Sequence, residues 1–539
     1  MNIASRLLQQ EPCISKVLLR LLFLGTLVVV PGCPQAPQVP TGPQGVLWLQ
    51  FAQISDTHLL DDESPARTVR FTDLFTGSWR PQEAYTAQTL DATLRVLNEY
   101  HTGTLQPQRH LDFLIHTGDT VDNAQYNELR WFVEVMNGLA VLTDSGAHEG
   151  QNRAQAPEDN PKLGFKATGL LPEIPWYAVQ GNHDILCTGI FSIDRRVTIP
   201  ENWTAPQLEP VAALLGLHLF DRDINFLSPT AEWNPAIIPG DVDLADPVTE
   251  KLRWDLLFAG RIVPDMNRHF IDSEMFVSEV SQGAVLPQPA DASQTQPASP
   301  LCYSVRPKPD VPIRLVVLDT TVTDPPDGVP TAHGVLTRDR FEHFLKDQIQ
   351  AARDAGEWVL LATHHPSANF SIPYLGCNVG QGEFRRYLAE QPNFIAHICG
   401  HTHRNHLEMV GGPHPYPEIE TDSIIDYPQE ARILGIYWVE ETQSFRVEST
   451  MVSHMDDPTR LSAESFRRAS IISGHTPDPA AFTKRYSMAP KEVLGDISED
   501  LGAEGGISRE EHYGQEKDRD FSITLPCTGA PSPELRVRK

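Results

Sequence analysis

The sequence predicts an α/β fold in which helices cover the faces of a sheet and the chemistry collects at the carboxyl ends of its strands. Three observations predict it. Short apolar runs alternate along the chain with segments of helical periodicity, the signature of an α/β core. Five of those runs end in Asp, His or Asn, often beside Gly. Hydrophobic residues make up 40% of the 539 positions and charged residues 21%, which fits a globular body and excludes a wholly disordered chain.

The elements follow in order. Residues 46–54, with Trp48 and Phe51, have the length and composition of a buried strand. Residues 82–99 carry helical periodicity through Ala84, Leu90, Leu94 and Leu97. A strand at 111–115, a helix at 126–139 and a strand at 176–179 come next. After a long interruption the rhythm resumes with strand 313–318, helix 338–355, strand 358–362, helix 383–390 and strand 394–398. Residues 433–439 and 445–451 read as further strands, the outer members of a second sheet.

Other regions break the rhythm. Arg6, Lys16 and Arg20 precede the apolar run 21–30, too short to span a bilayer comfortably but suited to a signal-peptide core. It ends in Val30-Pro31-Gly32-Cys33, similar to a bacterial lipoprotein box. Pro31 departs from that pattern and leaves ordinary signal cleavage open. Residues 1–32 are therefore read as an export signal, with Cys33 the candidate lipid anchor and 33–45 a Pro-rich spacer. The main domain is 46–455, interrupted by an insertion at 185–300 that is too long for a plain loop and contains Trp203, Trp233 and Trp254. Residues 456–539 read as a polar tail, with ten acidic and four basic residues between 491 and 520. A net charge of −28 repels polyphosphate backbones and argues against a nucleic-acid partner. Beyond residue 33 five cysteines remain (Cys187, Cys302, Cys377, Cys399, Cys527), without the paired spacing of a zinc ribbon.

The strand ends carry the chemistry. They read Ser55-Asp56-Thr57-His58, Thr117-Gly118-Asp119-Thr120-Val121-Asp122-Asn123, Gly181-Asn182-His183-Asp184, Thr363-His364-His365-Pro366 and Gly400-His401-Thr402-His403. Carboxyl ends of strands form the crevice of an open α/β sheet, so these groups should converge. In Asp56-x-His58 and His401-x-His403, residues two apart on extended chain project the same way and make two-ligand claws. Imidazole with carboxylate is the ligand set of Zn, Fe or Mn. A lone His at a strand end is usually a hydrogen-bonded bystander. Five such clusters in one chain are not.

The series D-x-H, GD-x-x-D-N, GNHD, HHP and GHTH resembles the calcineurin-like metallophosphoesterase superfamily. The resemblance runs from about residue 49 to 404, skipping the insertion. It implies two packed mixed β-sheets flanked by helices, a four-layer α/β arrangement, with a dinuclear metal centre at the carboxyl ends of the strands. It implies Asp56, His58 and His403 on a first metal, Asn182, His364 and His401 on a second, and Asp119 bridging both; His364 is chosen over His365 as the first histidine after its strand. His183 would be the general acid, and Asp122 the carboxylate that orients it. Asn123, His365 and Arg404 flank the ligands as weaker candidates for substrate contact. His397, His406 and His414 match no motif. Cys187 and Cys377 follow two of the motifs and could close a disulfide over the site.

The expected protein is an exported phosphoesterase with two transition-metal ions (Fe, Mn or Zn), acting on phosphomonoesters or phosphodiesters through attack by a metal-bridging hydroxide. Export favours small nucleotides or glycerophosphodiesters, with the insertion setting the choice. Two rivals stand beside it: a non-catalytic binding protein on the same fold, which would be free to lose His183, and a nuclease, which the acidic charge disfavours. The expected location is periplasmic or cell-surface.

Overall fold

A computed structural model describes residues 45–62, 64, 80, 82–103, 110–146, 157–192, 265–286, 299–323, 332–472 and 513–527. The export signal, Cys33, most of the spacer and all three insertion tryptophans lie outside these residues. Among the described residues no helix is long and apolar enough to cross a membrane.

The chain begins with β1 (Val46–Ile54) and crosses through α1 (Thr86–Thr102) to β2 (Phe113–His116). Then α2 (Tyr126–Met136) leads to β3 (Trp176–Ala178). α1 stops at Gly103, whose left-handed φ of 78° lets its N–H return to the carbonyls of Glu99 and Tyr100. Late in the insertion comes α3 (Ser273–Val280), and past it β4 (Tyr303–Val305) and β5 (Ile313–Val317). A helical run follows, with a π turn at Phe341–Leu345 feeding α4 (Lys346–Asp354). The wider turn keeps Phe341, Phe344 and Leu345 all on the buried side. The chain continues through β6 (Trp358–Ala362), α5 (Gln381–Ala389), β7 (Phe394–Cys399), β8 (His406–Val410) and β9 (Tyr416–Glu420). It ends with β10 (Glu430–Val439), β11 (Ser444–Ser453), α6 (Arg460–Ile472) and β12 (Phe521–Pro526).

Two six-stranded mixed sheets result, in the orders β12-β11-β10-β1-β2-β3 and β8-β9-β7-β6-β5-β4. β1, β2 and β3 run parallel, as do β5, β6, β7 and β9, so the motif-bearing strand ends of each sheet point the same way. Period-two alternation sets what each face meets. On β6, Trp358, Leu360 and Ala362 join the core shared with the first sheet, whereas Val359 and Leu361 join a second core with Phe344, Ile349 and Phe384. Trp358 meets Phe445 of the opposite sheet edge-on, with ring centroids 4.7 Å apart, and Trp48 stacks on Trp438 at 5.4 Å. Helix, sheet, sheet and helix form four layers.

Several expectations change. Residues 433–439 and 445–451, read as outer strands of a second sheet, join the first: β10 pairs antiparallel with β1 directly, and β11 lies beyond it. Strands β4, β8 and β9 were not foreseen. β9 hides its signal behind Pro417 and two buried acids, Glu418 and Glu420. The polar tail contributes structure as well. Ala463, Phe466 and Ala469 on α6 are buried, and β12 extends the first sheet. Within the insertion, α3 buries Phe276 and Val280 in the main core, so this stretch belongs to the body.

β12 and the turn before it are held by buried polar contacts. Arg519 pairs with the buried Glu430, and the carbonyls of Asp518 and Arg519 accept from Arg432. Removing one partner of a buried ion pair costs about 3–5 kcal/mol. Deleting residues 513–539 should therefore lower the melting temperature by several degrees and promote self-association through the bared edge of β11. Deleting only 528–539 should do neither. A shortened chain that melts like the full protein and associates no more than it does would show that β12 contributes nothing to the fold.

Candidate metal centre

Both sheets deliver their motif loops to one seam. Asp56 and His58 follow β1, Asp119 and Asp122 follow β2, and Asn182 and His183 follow β3; His364 follows β6, while His401 and His403 follow β7. Main-chain bonds stitch the loops together: Asp56 N–H donates to the Gly118 carbonyl at 2.9 Å, and Gly400 N–H to the His364 carbonyl at 2.9 Å. Asp56, His58, Asp119, His401 and His403 all have left-handed backbones, with φ between 41° and 75°. Such residues cost about 1–3 kcal/mol each and persist only where their surroundings hold them. Close approach also demands glycine. A Cβ at Gly400 would lie 1.9 Å from Ser55 Oγ and 2.5 Å from Asp56 Oδ2, and one at Gly118 2.5 Å from His364 Nδ1.

The first group is Asp56, His58 and His403. His58 Nδ1 faces Asp122 Oδ1 at 2.8 Å and His403 Nδ1 faces Asp426 Oδ2 at 2.6 Å. A carboxylate only accepts, so both Nδ1 atoms carry hydrogen, and in the neutral rings both Nε2 atoms present lone pairs. These two lone pairs face each other at 3.1 Å. Asp56 Oδ1 lies 3.4 Å from His403 Nε2 and is buried without a hydrogen-bond partner.

The second group is built alike. His364 Nδ1 donates to the Thr117 carbonyl at 2.8 Å, which turns its Nε2 lone pair inward. Around that atom stand Asn182 Oδ1 at 3.0 Å, Asp119 Oδ2 at 3.1 Å and His401 Nδ1 at 3.2 Å. Asn182 presents its oxygen because its amide N–H donates to the Gly189 carbonyl. Asp119 Oδ2 also lies 3.8 Å from His58 Nε2, so one oxygen faces both groups, while Oδ1 accepts the His183 main-chain N–H at 2.8 Å.

The electrostatics of the cluster favour bound cations. Burial favours the neutral forms of the carboxylates, yet His403 and His364 hold Asp56 below its usual range, and His364 and His183 hold Asp119 well below it. Conversely, burial would lower the His364 and His403 pKa values, but the Asp119 and Asp56 carboxylates outweigh it and push each up to about 9. Without metal the cluster draws in protons; two cations would meet the same demand. The donor set fits divalent transition metals.

The remaining residues fall into place around these groups. His183 Nδ1 bonds the main-chain carbonyl of Asp122 at 2.7 Å, and the Asp122 carboxylate lies 3.6 Å away. The side chain expected to hold His183 thus holds His58, and the orienting group for His183 is a carbonyl. Burial would raise the Asp122 pKa, but the hydrogen bond from His58 and the neighbouring charges bring it down to about 2. His365 stands beside His364 and His401, with one ligand atom from each of the three within 4.8 Å of the others, but its ring nitrogens also bond Thr320 Oγ1 and the Ala332 carbonyl. Arg404 is held by Glu420, and the Asn123 amide by Glu128. His397 lies buried between Thr363 and Glu418, and His406 lies 3.8 Å from Asp518. His414 donates only its main-chain N–H, to the Ala389 carbonyl. Cys187 is buried, Cys377 exposed, and both are free thiols, so no disulfide closes the site.

Two contributors were missed in the sequence. Asp426 sits in a loop that no motif marks, 23 residues beyond the histidine it holds. Asp184 accepts N–H groups from Thr120, Val121 and Gly181 and so ties the β2 loop to the β3 loop. Its place in GNHD was the available signal.

A family model for calcineurin-like phosphoesterases matches residues 49–236 and 304–405, over half of the chain. All seven residues proposed by resemblance as metal ligands lie inside those stretches. Among solved structures the chain is similar to a dimetal phosphatase from Danio rerio, with 13% identity over 76% of this chain and 97% of that one and a TM-score of 0.30. At that score the likeness adds no weight. No curated protein matches the chain. On the family match, the chain belongs to the calcineurin-like phosphoesterases, metal-dependent hydrolases of phosphoric esters.

Proposed function

We propose that the protein is an exported phosphoesterase for small phosphate esters, nucleotides or glycerophosphodiesters, with one metal ion on Asp56, His58 and His403 and a second on Asn182, His364 and His401. The observation that carries this reading is Asp119 Oδ2, 3.1 Å from His364 Nε2 and 3.8 Å from His58 Nε2, which supports Asp119 as the shared ligand. Two such ions, Fe, Mn or Zn, supply Lewis acidity toward phosphoryl oxygens and a lowered pKa for water. The chain's own residues do the rest. Asp122 and Asp426 fix the tautomers of His58 and His403. The Asp122 carbonyl takes the Nδ1 hydrogen of His183, which leaves Nε2 as the atom that delivers a proton to the leaving oxygen. His183 keeps 21% of its side chain exposed, while His58 and His364 are buried, as suits a group that meets substrate. The net charge of −28 supports small esters over nucleic acids.

Purified protein should bind close to two transition-metal ions and hydrolyse p-nitrophenyl phosphate, its bis ester, or both; the ratio separates monoesterase from diesterase. Asp119→Ala should lose both ions, because one carboxylate serves each. Two retained ions in that variant would end the bridging assignment, and metal binding without turnover of any ester would favour a binding protein.

Location has its own test. With Cys33 acylated, the protein should sediment with membranes until detergent is added, and Cys33→Ser should abolish lipid labelling. A soluble periplasmic protein whose mature end is not Cys33 would mean an ordinary cleaved signal.

Loss of a positioned acid costs about 10²–10⁴ in rate. In His183→Ala that loss should be large for alkyl esters and small for p-nitrophenyl esters, whose leaving anion is already stable, with metal content unchanged. A series of aryl and alkyl phosphates at saturating metal reads this as a steeper dependence on leaving-group pKa. The same fold loss for every ester would mean that His183 orients substrate and delivers no proton.

A further inference from the structure

Behind the first ligand group lies a buried cation. Arg80, 6% exposed, precedes α1 and belongs to no motif. Its Nε donates to Asp426 Oδ1 at 2.8 Å, and its Nη1 lies 3.8 Å from Asp122 Oδ1. These are the two carboxylates that receive the Nδ1 hydrogens of His403 and His58. The arginine is itself anchored: its main-chain N–H donates to Glu83 Oε1 at 2.8 Å, and Gln82 Nε2 reaches the same Asp426 oxygen at 3.3 Å.

We propose that Arg80 is a positioning residue for the first metal group, a guanidinium that holds Asp122 and Asp426 together behind His58 and His403. The inference rests on the metal role proposed for those histidines. Two ionised carboxylates within reach of one point repel, and each would swing away from its histidine unless a cation lay between them. A planar guanidinium can donate along two directions at once, whereas a single ammonium meets one partner well. Burial would lower the arginine's pKa, yet Asp426 and Asp122 raise it, so its charge is secure. Asp122, Asp426 and Arg80 come from three distant parts of the chain. Arg80 therefore fixes the Asp426 loop, which no motif specifies, against the strand ends. A direct substrate contact fits less well, because the side chain is 7% exposed and engaged with carboxylates.

The test titrates metal-free protein with Co²⁺, followed by visible absorption and equilibrium dialysis. Wild-type protein should take up two ions. Arg80→Ala should bind one of them about 10–100-fold more weakly, the range for loss of an outer-shell partner, and the other within about twofold of wild type. Arg80→Lys should fall between. In an Asp426→Asn background, Arg80→Ala should weaken that site by much less than in wild type, since most of its effect passes through Asp426. Near-UV circular dichroism identifies any variant that has failed to fold, and the lysine variant then carries the comparison. Two wild-type affinities in folded Arg80→Ala, or fully additive effects in the cycle, would overturn the proposal. So would unchanged cobalt binding with a raised KM for p-nitrophenyl phosphate, which would make Arg80 a substrate contact. Wild-type protein that takes up no cobalt would defeat the metal reading itself.

Discussion

The lone pairs that meet in the seam between the sheets constrain everything around them. His58 Nε2, His403 Nε2 and Asp56 Oδ1 converge, and His364 Nε2, Asn182 Oδ1 and Asp119 Oδ2 do the same alongside. Burying such a cluster is unfavourable unless positive charge reaches it. Each imidazole is pinned by its far nitrogen, so that its inner nitrogen stays aimed at the cluster, where it can take up a proton or meet a cation. Asp122, Asp426 and the Thr117 carbonyl do this for His58, His403 and His364. The layers of carboxylate and cation behind the histidines follow from that single requirement.

The same requirement explains the backbone. Extended strands cannot aim Asp56, His58, Asp119, His401 and His403 at common points from two sheets, and all five take left-handed conformations to do so. The strain is tolerated because each loop is bonded to its neighbours and rests on a dry core. Trp358, Phe445, Trp438 and Trp48 lock the two sheets face to face, so that the loops after β1, β2, β6 and β7 start from fixed positions. Packing far from the chemistry is what makes its geometry possible.

Much of this could be read in the sequence, for a physical reason. A metal ligand is chemically restricted, and the proposed ligands Asp56, His58, Asp119, Asn182, His364, His401 and His403 each stood at the end of an apolar run beside a small residue. Strand β6 is buried on both faces and shows as an unbroken apolar run, and β1 and β7 are mostly buried runs interrupted only by Gln50, Gln53 and His397. What was not legible obeys weaker rules. β9 is buried yet carries Pro417, Glu418 and Glu420, because Arg385 and His397 satisfy Glu418 from other elements. Asp426 and Arg80 act only through partners far away in sequence, and no local pattern records such a partnership. The placement of β10 beside β1 is likewise a pairing of distant strands, which periodicity alone does not specify.

Asp122 shows how a correct residue can carry an unexpected role. Resemblance assigned its carboxylate to His183, but that carboxylate lies 2.8 Å from His58 Nδ1 and its own carbonyl 2.7 Å from His183 Nδ1. The two bonds differ in kind. A carbonyl carries no net charge and fixes the orientation of His183 while stabilising an imidazolium less than a bonded carboxylate would. The carboxylate, 3.6 Å from the same nitrogen, still contributes its field. One residue thus aligns a proposed metal ligand with its side chain and the proposed acid with its main chain. Any movement of the β2 loop must then shift both together, which keeps the proton donor in register with the first metal group.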